Sequence, residues 1–148
     1  MPAANPQLGG VFDPSRDVVV TGQILSSGSA KVGGIGYTTG AGASVTQLTN
    51  RTTAVSINAL SGTITTNNAS LGAELAAAFT VNNSAVQIGD VVVLSQRSGA
   101  VGVMTDAVVT ATTNGSFTVS IMNNNASGGT AETGAIILNF CVIKGSTT

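Results

Sequence analysis

Thr110-Ala-Thr-Thr-Asn-Gly-Ser-Phe-Thr-Val-Ser-Ile-Met122 is the stretch that decides the fold of this chain. Asn-Gly is the strongest short hairpin signal a sequence carries, because both residues tolerate the positive φ of a tight turn. After the turn, Phe117, Val119 and Ile121 alternate with Ser and Thr and share one face, the period-two pattern of a half-buried strand. Before it, Val101 to Thr113 is strand-like, with Val103, Val109 and Ala111 among its apolar positions.

The same pattern extends outward. Downstream, Asn123-Asn-Asn-Ala-Ser-Gly-Gly-Thr130 is a polar loop, followed by a last strand from Ala135 to Ile143. That strand is apolar on both faces: Ile136, Leu138, Phe140 and Val142 lie on one side, Ile137, Cys141 and Ile143 on the other. With few helices to cover it, its second face is expected against another subunit. Upstream, Asp90-Val-Val-Val-Leu94 reads as a short buried strand after the turn residues Ile88-Gly-Asp90. Thr53 to Asn58, with Val55 and Ile57 on one face, and Thr63 to Thr66 read as a hairpin turning at Leu60-Ser-Gly62. Leu71 to Ala78 is the one plausible helical turn, and Phe79-Thr-Val81 after it is extended. Val18 to Leu25 is a possible first strand. No fixed repeat occurs, which argues against a solenoid.

The pattern predicts an all-β fold, an antiparallel β-sandwich or jelly roll of about 7–8 strands. Residues 1–32 hold an extended N-terminal arm and the possible first strand; 33–148 form the sandwich domain. The arm carries all 3 prolines of the chain (Pro2, Pro6 and Pro14) and has no core of its own.

Composition narrows the function. The 148 residues are 43% apolar but only 7% charged, against about 25% charged in a typical globular domain. The abundance of Val and Ile excludes disorder as the cause. A surface of Thr, Ser, Asn and Gln with net charge −1 suits a protein fixed in an assembly, because interface cores are depleted of charge. Arg16, Lys31, Arg51, Arg97 and Lys144 are scattered, which argues against a nucleic-acid partner. No apolar run approaches the roughly 20 residues of a membrane-spanning helix. The N-terminus lacks a basic start followed by an apolar core, so synthesis in the cytoplasm is expected.

Chemistry is hard to build here. There is no His, the commonest general base and metal ligand. Cys141 is the single cysteine and sits mid-strand, where a small buried hydrophobe is the plain reading. Asp13, Asp17, Glu74, Asp90, Asp106 and Glu132 never fall into a ligand spacing; Asp90 and Asp106 are placed for turn roles. No catalytic residue, metal or cofactor is expected. The Asn-x-Ser/Thr sequons are what this composition gives by chance, and the Thr-x-Thr pairs at 63–65 and 110–112 are isolated.

Gly33-Gly-Ile-Gly-Tyr-Thr-Thr-Gly-Ala-Gly42 packs glycines as a phosphate-binding loop does. Its flanks disagree. A dinucleotide fingerprint needs a strand before, a helix after and a later acidic residue, whereas Ser26 to Ala30 precedes it and a β-branched run follows. No Gly-Lys-Ser/Thr occurs for a P-loop. The glycines are read instead as supplying positive φ and close backbone approach.

Gly34-Ile-Gly-Tyr-Thr-Thr-Gly-Ala-Gly42, Val45-Thr-Gln47, Arg51-Thr-Thr53 and Leu60-Ser-Gly-Thr-Ile-Thr65 together resemble a module of tailed-phage structural proteins. The resemblance continues through Phe79-Thr-Val-Asn-Asn-Ser84, Asp90-Val-Val-Val93, Gly115-Ser-Phe-Thr-Val119 and Asn139-Phe-Cys-Val-Ile-Lys-Gly145. It implies a virion decoration (cement) protein or an appendage module, usually a small β domain acting as a trimer, with no catalytic residue. On this reading the expected place is the capsid surface and the partners are the major capsid protein and two further copies of the chain. Val11, Phe12, Asp13 and Arg16 of the arm are the expected capsid-docking residues. Gly34, Gly36, Tyr37, Ile137, Cys141 and Ile143 are the expected subunit contacts. The alternative is a receptor- or glycan-binding module of a tail or head fibre, using loop 123–130; Tyr37 is its sole candidate for stacking on a sugar.

Overall fold

The structure is a computed structural model that describes residues 36–37, 41–102 and 104–145. All of these but Gly36 belong to the unit Tyr37–Thr148. The possible strand at 18–25 lies outside the described residues.

Among the described residues there are eight strands: β1 (Gly42–Thr46), β2 (Val55–Ser56), β3 (Ser61–Thr65), β4 (Ala76–Asn82), β5 (Val91–Ser98), β6 (Thr105–Thr113), β7 (Ser116–Asn123) and β8 (Ile137–Ile143). They form two four-stranded sheets, ordered β1-β3-β8-β5 and β2-β4-β7-β6, with no helix among the described residues. The all-β sandwich read from the sequence is the fold.

Between the sheets lies an apolar core. Ile64, Leu138, Phe140 and Val142 from the first sheet meet Phe79, Val81, Phe117, Val119 and Ile121 from the second, all buried. Each such side chain contributes about 1.5–3 kcal/mol. The Phe117 and Phe140 rings lie 5.5 Å apart at a tilt, joining β7 to β8 across the sandwich, within the favourable range for an aromatic pair.

Local alternation identified the strands better than their partners. The β6–β7 hairpin forms at Asn114-Gly115, pairing Thr113 with Ser116. Only Gly115 takes positive φ there, 83°; the Asn114 side chain instead accepts the Ile88 amide at 2.8 Å. The expected hairpin of 53–58 with 63–66 does not form. β2 belongs to the second sheet and β3 to the first; β2 runs parallel to β4, and β3 runs parallel to β1 and antiparallel to β8. The chain winds from sheet to sheet through β1, β2, β3 and β4, so strands two apart in sequence return in the same direction. The sheets are therefore mixed rather than wholly antiparallel.

The helical turn expected at 71–78 is also absent. Leu71 bridges Glu132, and Ala76–Ala78 pair with Met122–Ser120 of β7. Alanine is the strongest helix former, but intrinsic propensity is a small term that tertiary context overrides, and here the pairing with β7 does so. β5 is not a strand covered on both sides, because its alternate residues Val91 and Val93 face outward.

Polar side chains pin the crossings between sheets. Gln47 donates to the carbonyls of Arg51 (3.0 Å) and Thr53 (2.6 Å) and accepts the Asn67 amide at 3.0 Å. Asn83 donates to the Ala59 carbonyl at 2.7 Å. Such buried amides replace the ladder partners that a crossing backbone loses.

Candidate functional site

The outer face of the first sheet follows directly from its register. Ile143 pairs with Val91, Cys141 with Val93 and Ser61, and Asn139 with Ser95 and Thr63. Each of these points away from the core, because its neighbours Leu138, Phe140 and Val142 point in. Val91, Val93 and Ile143 are 56%, 48% and 53% exposed, and Cys141 and Ile137 are half-buried. The face thus carries an apolar strip at its β5–β8 side. Beside it runs a polar row, Ser44, Thr63, Asn139 and Ser95, in which the Thr63 hydroxyl donates to Asn139 Oδ1 at 3.2 Å.

Tyr37 sits at the same end. Val142 donates its amide to the Leu60 carbonyl at 2.7 Å, and its own carbonyl accepts the Tyr37 hydroxyl. The phenol extends the ladder just before β3 begins. The ring stays 41% exposed. Partial burial, then Cys141 and to a smaller degree Asp90, push its hydroxyl pKa above the ordinary value, against a lowering by Lys144. Beyond it, Lys144 Nζ meets Asp90 Oδ2 at 2.6 Å, and Asp90 also accepts the amides of Gln87 and Gly145. Those bonds hold the Asp90 carboxyl at about 2.

Of the expected subunit contacts, Tyr37, Ile137, Cys141 and Ile143 gather on or beside this face. Gly36 is exposed, and Gly34 lies outside the described residues. Cys141 is not a core residue: β8 alternation turns it outward, away from Phe140 and Val142. Val91 and Val93 were missed as surface residues because a run of four apolar residues gives no sign of which face is open. The expected docking residues Val11, Phe12, Asp13 and Arg16 all lie outside the described residues.

A second polar centre escaped the sequence altogether. Glu132 is fully buried, and its carboxylate accepts the amides of Val101, Gly102 (2.8 Å) and Gly134 (2.6 Å) and the Thr105 hydroxyl (2.7 Å). Burial alone would raise its pKa; these donors hold it below the usual range. Arg51, also buried, donates to the carbonyls of Ala69, Glu132 (3.1 Å) and Gly134 (2.8 Å). Burial lowers its pKa and the Glu132 carboxylate opposes that. Every buried side-chain polar atom among the described residues has a partner, so this centre fastens loops 99–105 and 131–136 and offers no free group to a substrate. Among the described residues no three His, Cys, Asp or Glu side chains come together as a metal site.

Loop 123–130 is similarly self-contained. Asn123 Nδ2 donates to the carbonyls of Leu71 (2.9 Å) and Thr130 (3.0 Å), and its Oδ1 accepts from Asn125. The side-chain amides of Asn123 and Asn125 are thus bonded to backbone carbonyls and to each other.

The chain matches no family model, no curated protein and no solved structure.

Proposed function

We propose that the chain is a non-enzymatic structural protein of a phage virion, a decoration protein that binds the outer capsid surface as a homotrimer and stabilises the head. The observation that carries this reading is the outer face of β5 and β8. Exposed Val91, Val93 and Ile143 with half-buried Cys141 make an apolar strip, with Tyr37 at its end and Ile137 beyond the Asn139–Ser95 row, in a chain with too few charges to keep such a strip solvated. A contiguous exposed apolar patch marks an interaction site, and charge depletion is the signature of an interface core. The resemblance of residues 34–145 to tailed-phage structural modules supplies the setting.

Stabilisation works through linkage: a subunit that binds only the assembled lattice lowers its free energy by RT ln(1 + [L]/Kd). The trimer forms on the strip, and the arm residues Val11, Phe12, Asp13 and Arg16 dock on the capsid, where an extended segment gains main-chain hydrogen bonds at an open sheet edge.

The test is particle mass by light scattering together with capsid binding. The wild-type mass is expected to be a multiple of three chains, and Val93→Asp with Ile143→Asp to reduce it while the β spectrum persists. Residues 18–148 alone are expected to assemble but not to decorate capsids. A wild-type chain that stays monomeric, or labelling confined to the tail tip of virions, sinks the reading.

A further inference from the structure

An exposed strand edge is a template for another strand, and folded proteins guard their edges with charge, proline, bulges or brevity. Among the described residues the two sheets have four edges: β1, β5, β2 and β6. Edge β5 carries Arg97 at a register shift between Gln96 and Ser98. Edge β6 carries exposed Asp106 and a register shift between Val109 and Ala111, and these two edges approach each other where the sandwich closes. Edge β2 is 2 residues long. Edge β1, Gly-Ala-Ser-Val-Thr, has none of these devices: it runs 5 residues in unbroken register with β3 and is exposed at all but Val45.

The free groups of β1 follow from its inner partner. Gln47 donates its amide to the Thr65 carbonyl at 2.8 Å, so the odd-numbered residues of this strand address β3. By alternation the amide and carbonyl of Gly42, Ser44 and Thr46 point away from it. This pattern is symmetric about Ser44. A second β1 laid antiparallel on a two-fold axis there matches donor to acceptor reciprocally at Ser44, and again between Gly42 and Thr46 on either side. The edge is uncharged, so it repels no copy of itself and selects no charged partner. Val45 faces the core yet is only partly buried, and Ala43 beside it is exposed; an antiparallel copy places Ala43 over Val45 and covers both. Leu48, just beyond the strand, is 82% exposed on the same rim.

We infer that β1 joins a second copy of this chain edge to edge, through an antiparallel β1–β1 pair centred on Ser44 that makes one continuous sheet from β5 of one copy to β5 of the other. This contact is isologous and independent of the trimer strip. With both in use, particles hold multiples of six chains.

Light scattering on the full chain gives the number of copies per particle. The wild type is expected at an even multiple. Ser44→Pro removes an amide that points away from β3 and has no partner among the described residues, as proline is tolerated on an edge with its nitrogen outward, and Ser44→Lys places a charge on the axis. Either variant, with its β spectrum retained, is expected to halve the mass. Hydrogen exchange of the wild type supplies a readout without substitution: the Gly42, Ser44 and Thr46 amides are expected to be protected in the particle and to exchange freely on dilution. A wild-type mass that is an odd multiple, a mass unchanged in both variants, or unprotected amides at these three positions overturns the pairing. Val93→Asp separates the two contacts, since it is expected to change mass threefold and leave the β1 amides protected.

Discussion

The carboxylate of Glu132 accepts the Thr105 hydroxyl at 2.7 Å while wholly buried, and the two residues bind the start of β6 to the segment that leads into β8. Three backbone amides complete the carboxylate's coordination, so it acts as a knot between loops that have no ladder of their own.

Glu132→Gln is isosteric but turns an NH2 group toward amide donors. At least one donor then loses its partner in a dry site, and a charge-assisted set becomes neutral. The expected loss is about 2–4 kcal/mol of unfolding free energy, read from urea midpoints. A loss below about 0.5 kcal/mol, the scale of an ordinary surface change, sinks the role.

Acid stability follows from the same chemistry. Asp90, at about 2, and Glu132 both lie below their ordinary values in the folded chain, so the unfolded chain binds more protons in the interval between. Their stabilisation is complete above the unfolded carboxylate pKa of about 4, declines as pH falls below it, and for Asp90 is gone once pH passes through about 2. Urea midpoints are expected to be level from neutral pH to about 5 and then to fall. Asp90→Asn flattens part of that fall, and an unchanged acid limb in this variant contradicts the assignment.

Glycine at position 62 is a matter of space. A Cβ there would sit 2.6 Å from the Ala43 carbonyl oxygen and 2.9 Å from both Ile57 and Phe140. Gly62→Ala is expected to cost about 1–3 kcal/mol by overpacking and to loosen β1 from β3, seen as faster exchange of the Gln47 amide. Gly115 is the contrasting case, with open space around it but φ at 83°. Gly115→Ala is expected to cost about 1–2 kcal/mol through backbone strain alone, leaving the Gln47 amide undisturbed.

Residues whose role is set by their immediate neighbours were legible in the sequence. Phe117, Val119 and Ile121 announced a buried strand face, Asn114-Gly115 its turn, and Asp90 its turn role. Residues whose role is set by the winding of the chain were not. Nothing local distinguishes a Thr63–Thr66 strand that returns beside 53–58 from one that crosses to the other sheet, because alternation records faces and carries no partner. For the same reason Val91 and Val93 read as buried, and Arg51 and Glu132, 81 residues apart, gave no sign of meeting. The outward face of β8 was legible because strand 135–143 is apolar on both sides and a sandwich covers only one.

Tyr37 offers a titration free of interference, because the chain has 1 Tyr and 0 Trp. Phenolate absorbance therefore reports this residue alone. In the folded chain its hydroxyl donates to the Val142 carbonyl, and partial burial with the Cys141 neighbour holds the proton above the ordinary value, about 10 in a free tyrosine. The folded chain thus keeps this proton where the unfolded chain has released it, and its contribution to stability is lost as pH rises through the folded value. The expected midpoint lies above that of the urea-unfolded chain, and Cys141→Ala is expected to bring it part of the way back. Assembly on the β8 face removes further water from the ring, so the midpoint rises with protein concentration where subunits associate there. A midpoint equal to that of the unfolded chain at every concentration places Tyr37 in open solvent and removes it from the contact.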